Sequence, residues 1–285
     1  MKSKQTWQNH LMVVFLSAML TVVSACSSDS EETQNSETAP AIPPASTMVM
    51  SFDEFPDNTT STTNTGNGIN VQPLTVQNFT HAATHIVVWN TLITVGLAVP
   101  VAAFVESFNH FATIRSDGTW VWAYSVNVLG SLHVVELHAK KVDQDIVWEL
   151  YVTRPGFYQD FNWISGVSAV DGSEGYWILR ETPESPNDLL RIDWTHDKQS
   201  DTGTILYTNI KPDSPENGGY IAYGADAGLQ PYDAYYDIYN KGQDNLVEIE
   251  WNRTTNAGRV RNPNFFSDTD WHYWDEQLQD YIPAP

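Results

Sequence analysis

The first candidate for chemistry is a pair of histidines at the start of the most apolar part of the chain. His81 and His85 are four residues apart, so both rings would lie on one face of a helix. Two imidazoles placed in this way can chelate a metal ion or ligate haem. The helical motif of zinc metalloproteases has Glu directly after its first histidine, and this chain has Ala82 there. We therefore interpret both histidines as polar residues in the first turns of a helix, and we predict no metal site and no cofactor.

A second candidate is a pair of acidic residues near the end of the chain. Glu248 and Glu250 are two apart, which places both carboxylates on one face of a strand and Trp251 on the other. This presentation is similar to that of some jelly-roll glycosidases, whose pattern is Glu-X-Asp-X-X-Glu, although Arg253 stands here at the third position. The resemblance implies a glycoside hydrolase using Glu248 or Glu250, which we retain as an alternative. A solvated acidic face over a dry core explains the same pattern, so we predict that the chain is not an enzyme.

Aromatic side chains provide a third candidate, because the chain has 11 tryptophans and 13 tyrosines. Such side chains line apolar cavities or stack on sugar rings. Residues 86–105 carry no charge, so this segment must be buried or must meet an apolar partner. We predict binding or shielding of a lipid or another apolar small molecule, and the alternative is a surface glycan-binding module. The predicted contact residues are Trp89, Phe104, Trp120 and Trp122.

The first 26 residues have the features of a bacterial export signal. Lys2 and Lys4 form a short basic region, and the apolar stretch 11–23 is too short to span a bilayer. It ends in Val23-Ser24-Ala25-Cys26, which resembles the lipobox of bacterial lipoproteins. The resemblance implies that residues 1–25 are removed, that Cys26 carries a diacylglycerol, and that its amine is acylated, as with palmitate. Several acyl chains would anchor the protein stably in a membrane.

The residue after the cysteine indicates which membrane would hold the protein, and the overall charge excludes one class of partner. Ser27 stands where aspartate is linked to inner-membrane retention in enteric bacteria, so we expect the outer membrane, on its periplasmic or cell-surface side. Cys26 is the only cysteine, which excludes an internal disulfide, a cysteine-based zinc site and an iron–sulfur cluster. The formal net charge of -21 repels phosphate backbones, so we predict no nucleic-acid partner. No sequence feature identifies a protein partner.

The chain divides by composition into a tether and one folded domain. Residues 26–75 are predicted to be the acylated cysteine and a disordered tether, rich in Ser, Thr, Asn, Pro and acids and without Lys or Arg. An apolar island at 48–55 either docks on the folded body or is a chance patch. Residues 76–285 are predicted to form the domain. It opens with a helical segment that Pro100 is predicted to divide into a first helix over about 78–98 and a second helix with one apolar stripe over 101–111. We favour burial of this segment in the core over a transmembrane span.

From residue 119 onward the hydrophobic period changes to two, which is typical of strands. Turn residues separate the runs, and this rhythm predicts an antiparallel meander with one wet and one dry face. The eleven runs are 119–125, 131–141, 145–153, 161–170, 175–181, 188–195, 203–210, 219–225, 232–239, 245–253 and 258–261. Residues 268–281 are predicted to be weakly helical.

The helical segment must bury its apolar surface, and the dry face of the meander is the large apolar surface that can receive it. We therefore predict a mainly β fold, in which an antiparallel meander forms a curved sheet or half-barrel packed around an N-terminal helical segment. This order of elements is similar to that of the lipoprotein carriers LolA and LolB.

Overall fold

The computed structural model describes residues 38–50, 52–56, 75–199, 202–225 and 230–283. The export signal, Cys26 and the part of the predicted tether at 57–74 lie outside the described residues. The predictions about them therefore stay predictions. The described residues all belong to one unit of the chain, which begins at Thr38.

The prediction of a mainly β fold is confirmed, because the described residues contain one open antiparallel sheet in which each strand pairs with its neighbours in the chain. The strands are β1 (Thr113–Ile114), β2 (Trp120–Val128), β3 (Ser131–Val142), β4 (Asp145–Arg154), β5 (Tyr158–Ala169), β6 (Glu174–Thr182), β7 (Ser185–Asp197), β8 (Thr202–Asn209), β9 (Tyr220–Ala225), β10 (Ala234–Asn240), β11 (Asn245–Trp251), β12 (Gly258–Arg261), β13 (His272–Trp274) and β14 (Asp280–Tyr281). Strands β2 to β12 match the eleven predicted runs to within a few residues.

Side chains alternate between the two faces of this sheet, as a period of two requires. On β11, Val247, Ile249 and Trp251 are fully buried, whereas Glu248 and Glu250 lie on the opposite side. We call the buried side the covered face and the opposite side the outer face. The largest fully buried rings of the sheet lie on the covered face: Trp148, Trp177, Tyr207, Tyr236, Trp251 and Trp274.

Two helices pack on the covered face, α1 (Gln77–Thr91) on β12 to β14 and α2 (Ala98–Glu106) on β2 and β4. A π-helical stretch, Leu92–Gly96, joins them. The predicted break at Pro100 is therefore wrong. Pro100 lies in the first turn of α2, where a proline without an N–H removes no helical hydrogen bond. Among the described helices, none combines the length and the apolar character that a membrane crossing needs.

The first described segment, residues 38–50 and 52–56, also packs on the covered face. Its hydrogen bonds include two to the buried Tyr207, whose hydroxyl accepts from the N–H of Met50 at 2.7 Å and donates to the carbonyl of Met48 at 2.8 Å. Four of its side chains belong to the core: Met48, Met50, Phe52 and Phe55. The apolar island at 48–55 thus docks on the folded body, and the folded unit begins before residue 76.

The prediction of a weak helix over 268–281 is wrong, because this region adds β13 and β14 to the edge of the sheet. The ring of Trp274 lies over Gly258 of the neighbouring strand, where a Cβ would collide with it. The aromatic run at 271–274 gains a hydrogen-bonded partner strand and a buried ring in this way, which an isolated short helix would not provide. The nearby helix is the four-residue α3 (Pro263–Phe266), capped by the side chain of Asn262.

Candidate functional site

The four residues predicted to contact an apolar ligand lie in the core or against it. Phe104 and Trp122 are buried, while Trp89 and Trp120 are half-buried. Phe104 lies edge-on to Trp177 with ring centroids 5.2 Å apart, so α2 fills the covered face at this point. Four surface cavities of about 260 to 990 Å³ are lined by other residues.

The two histidines lie on one side of α1, as predicted, with ring centroids 4.8 Å apart. The side-chain amide of Asn262 donates to Nε2 of His81 at 2.9 Å, and Phe265 stacks on the same ring at 3.8 Å. Burial, with smaller contributions from His85 and His272, lowers the pKa of His81 to about 4. His81 is therefore a neutral packing residue at pH 7. Within the described residues, no group of three or more His, Cys, Asp or Glu side chains is arranged to hold a metal ion.

A different set of side chains comes together on the outer face of β10 to β13. Residues directly opposite each other in an antiparallel pair share a face. In one row across the strands, Tyr235 pairs with Glu250, Glu250 with Arg259, and Arg259 with Tyr273; in the next row, Asp237 pairs with Glu248 and Glu248 with Arg261. We call these residues, with two aromatic neighbours from adjoining loops, the outer platform: Tyr232, Tyr235, Asp237, Glu248, Glu250, Arg259, Arg261, Trp271 and Tyr273.

Both predicted glutamates lie on this outer platform, and each is held by an arginine. Arg261 donates to the two carboxylate oxygens of Glu248, both at 2.5 Å, and Nε of Arg259 donates to Glu250 at 2.8 Å. Such charge-assisted pairs fix the carboxylates and occupy their lone pairs. A glycosidase instead directs one carboxyl as acid and another as base or nucleophile at the scissile bond. In this chain both carboxylates are instead engaged by arginines, which hold them in place on the outer face.

The same arginines order the aromatic rings of the outer platform. The guanidinium carbon of Arg259 lies 4.1 Å from the ring centroid of Trp271 and 5.0 Å from that of Tyr232, and Arg261 lies 4.7 Å from Trp271. The ring of Tyr235 lies across Gly224 of β9, a position where any Cβ would collide with it. These rings are half-buried and held in place by their neighbours before any ligand arrives.

Asp237 is the acid of the outer platform that has no arginine bonded to it. Burial, and then the negative charges of Glu248 and Glu250, raise the pKa of this carboxyl above its ordinary value, while Arg261 acts in the opposite direction. Within the described part of the chain, no group donates a hydrogen bond to Asp237. A half-buried acid with a raised pKa and free lone pairs is the kind of residue that functional sites retain.

The row through Asp237 continues across the sheet as a shallow strip. It runs from Asp237 over Ala222 and Leu206 to Asp193 and Tyr176. The last three of these residues line a depression of about 470 Å³. Strands lie about 4.8 Å apart, so the strip from β6 to β12 is about 29 Å long. It can accommodate an extended ligand.

Sequence reasoning identified Glu248 and Glu250 but missed Asp237, Tyr235 and the two arginines that hold the glutamates. A usable signal was present in β10, where Tyr235 and Asp237 alternate with buried residues and so belong to one face. The strand register decides which residues stand opposite one another, and that information is not local.

Comparisons of the chain with protein-family models, with curated proteins and with solved structures found no match. The function is therefore inferred from the side chains of this chain alone.

Proposed function

We propose that this chain is a lipid-anchored protein of the outer membrane whose outer platform binds a glycan. The observation that supports the glycan most directly is the group of half-buried aromatic rings that Arg259 and Arg261, each paired with a glutamate, hold on the same face as Asp237. The lipobox resemblance at Cys26 supports the anchor.

The chemistry of the outer platform fits a sugar. The apolar face of a sugar ring stacks on an aromatic ring, and Trp271, Tyr232 and Tyr235 offer such rings. Sugar hydroxyls both donate and accept hydrogen bonds, so they can pair with the free carboxylate of Asp237 and with remaining N–H groups of Arg259. Because these groups are already ordered, little conformational entropy is lost when the ligand binds.

The direct test applies the full chain, purified in detergent, to a glycan array and measures the affinity of each hit by calorimetry. Trp271→Ala should weaken binding by about 5- to 150-fold, because the sugar ring loses its stacking surface and stacking of a ring on an aromatic side chain is worth about 1–3 kcal/mol. Tyr151→Ala is the matched control, since Tyr151 is a half-buried tyrosine of the outer face on β4, away from the outer platform. An array without hits removes this proposal, and so does a hit that Trp271→Ala leaves unchanged.

Binding of an apolar ligand is a second proposal, supported by apolar side chains that the helical segment leaves exposed. Val87 and Val88 of α1 are 59% and 62% exposed, and Phe111, after α2, is 95% exposed. Large apolar side chains left in solvent on a helical segment are candidates for contact with a lipid or a protein. Native mass spectrometry of the purified chain should then show a co-purified lipid, and its absence would leave the helices with a structural role alone.

A further inference from the structure

Arg154 differs from every other arginine of this acidic chain. The chain has 35 acidic residues, and six of its seven arginines have a carboxylate oxygen at 2.5 to 3.5 Å. Those six are Arg115, Arg180, Arg191, Arg253, Arg259 and Arg261. Arg154 has no carboxylate at ion-pair distance in the part of the chain that the structure describes.

The guanidinium of Arg154 is nevertheless held in position. It donates to the hydroxyl of Ser131 at 2.9 Å and lies 4.0 Å from the ring centroid of Phe157. Ser131 is itself fixed, because its carbonyl accepts a hydrogen bond from Nδ1 of the buried His133 at 3.0 Å. Arg has five N–H donors, so most of them stay free for a ligand.

Arg154 lines a cavity of about 300 Å³ at one end of the sheet. The turns β2–β3, β4–β5 and β6–β7 meet there, and Val99 of α2 closes the inner side. Tyr158 and Trp163 add aromatic walls, and Glu184 is the one acid among the lining residues. The cavity therefore combines a positioned cation with largely apolar walls.

We propose that this cavity binds an organic monocarboxylate with an apolar body, whose carboxylate pairs with Arg154 and whose body packs on Val99, Tyr158 and Trp163. A planar guanidinium matches a carboxylate through two parallel hydrogen bonds. The apolar walls favour a ligand whose carboxylate is attached to an apolar hydrocarbon body. The carboxylate of Glu184 disfavours phosphate, because its greater negative charge would be repelled more strongly.

Calorimetry on the full chain in detergent tests this with benzoate as the probe. We expect benzoate to bind, and neutral benzyl alcohol and inorganic phosphate to bind at least tenfold more weakly. Arg154→Met should weaken the binding of benzoate by about ten- to a hundredfold, because a charged hydrogen-bonded pair is lost. Val99→Phe should also weaken it, because the added ring fills the cavity without touching the charge.

The control is Arg115→Met, which removes an exposed arginine paired with Glu136 and should leave benzoate binding unchanged. Thermal melts of all variants establish that they are folded, and Trp271→Ala should bind benzoate normally, which separates this site from the outer platform. The proposal is overturned if benzoate does not bind, if folded Arg154→Met binds it as well as the parent, or if phosphate binds as tightly as benzoate.

Discussion

Asp237 lies directly opposite Glu248 in the antiparallel pair β10–β11, so two acids share one cross-strand position on the outer face. Like charges placed in this way destabilise a sheet, yet Arg261 bonds to Glu248 and not to Asp237. The chain thus keeps an acid where stability alone would favour a neutral residue, which is common at sites retained for function.

Asp237→Asn should therefore stabilise the fold at pH 7 by about 0.5–1 kcal/mol. The pKa of Asp237 is raised in the folded state, so its ionised form is disfavoured there. The penalty is absent below the unfolded value of 3.8 and accumulates as the pH rises through the folded pKa. Urea unfolding of both proteins at pH 7 and at pH 3.5 measures the difference. A variant that is less stable at pH 7, or a gain that persists at pH 3.5, contradicts the prediction.

Tyr207→Phe should destabilise the protein by about 2–6 kcal/mol. The substitution leaves the N–H of Met50 and the carbonyl of Met48 without their buried partner, and each unsatisfied group costs about 1–3 kcal/mol. Limited proteolysis should also cut within 38–56 more rapidly in the variant. Tyr239→Phe, which removes an exposed hydroxyl bonded to Asp244, serves as the control and should change stability by less than about 0.5 kcal/mol. Equal losses from the two variants would contradict the prediction, because the buried hydroxyl of Tyr207 would then contribute no more stability than an exposed one.

Acidification should weaken the docking of α1 between about pH 6.5 and 4. The pKa of His81 is lowered from 6.5 to about 4, so its neutral form stabilises the fold above pH 6.5, and this contribution is lost as the pH falls towards 4. A protonated Nε2 could no longer accept the hydrogen bond from the Asn262 amide, because two hydrogen-bond donors would then face each other. Between pH 6.5 and 4, the free energy of unfolding of His81→Gln should fall by about 1–2 kcal/mol less than that of the parent, after allowance for solvent screening. Identical pH profiles in chemical unfolding would exclude His81 as the titrating group.

Cys26→Ser should release the protein from the membrane fraction, because the acyl chains that the lipobox resemblance implies would have no attachment site. Metabolic labelling with an alkyne fatty acid, followed by cell fractionation, measures both effects. The chain has a single cysteine, so any acylation that survives in the variant cannot be a thioether. Ser27→Ala is the matched control and should remain labelled. A Cys26→Ser protein that stays labelled and membrane-bound would refute the anchor.

Much of the fold could be predicted from local patterns. Alternation in β11 placed Glu248 and Glu250 together and Trp251 opposite them, since successive Cβ atoms point to opposite sides of a strand. The helical pattern did not reveal where the helical segment is interrupted, because Pro100 is compatible with the first turn of a helix as well as with its end. The run at 271–274 was misassigned because its pairing with β12 outweighs local propensity.

The amino-acid sequence by itself determined strands β2 to β12, the two faces of the sheet and the lipobox pattern at Cys26, since each of these depends on residues near one another in the chain. Only the tertiary structure decided which residues meet. It brought Met48 onto Tyr207, set Asp237 against Glu248 and left Arg154 with no carboxylate of the described residues at ion-pair distance. Those outcomes depend on strand register and on the packing of distant segments, and a shift of one residue in register would move a whole row of side chains to the other face.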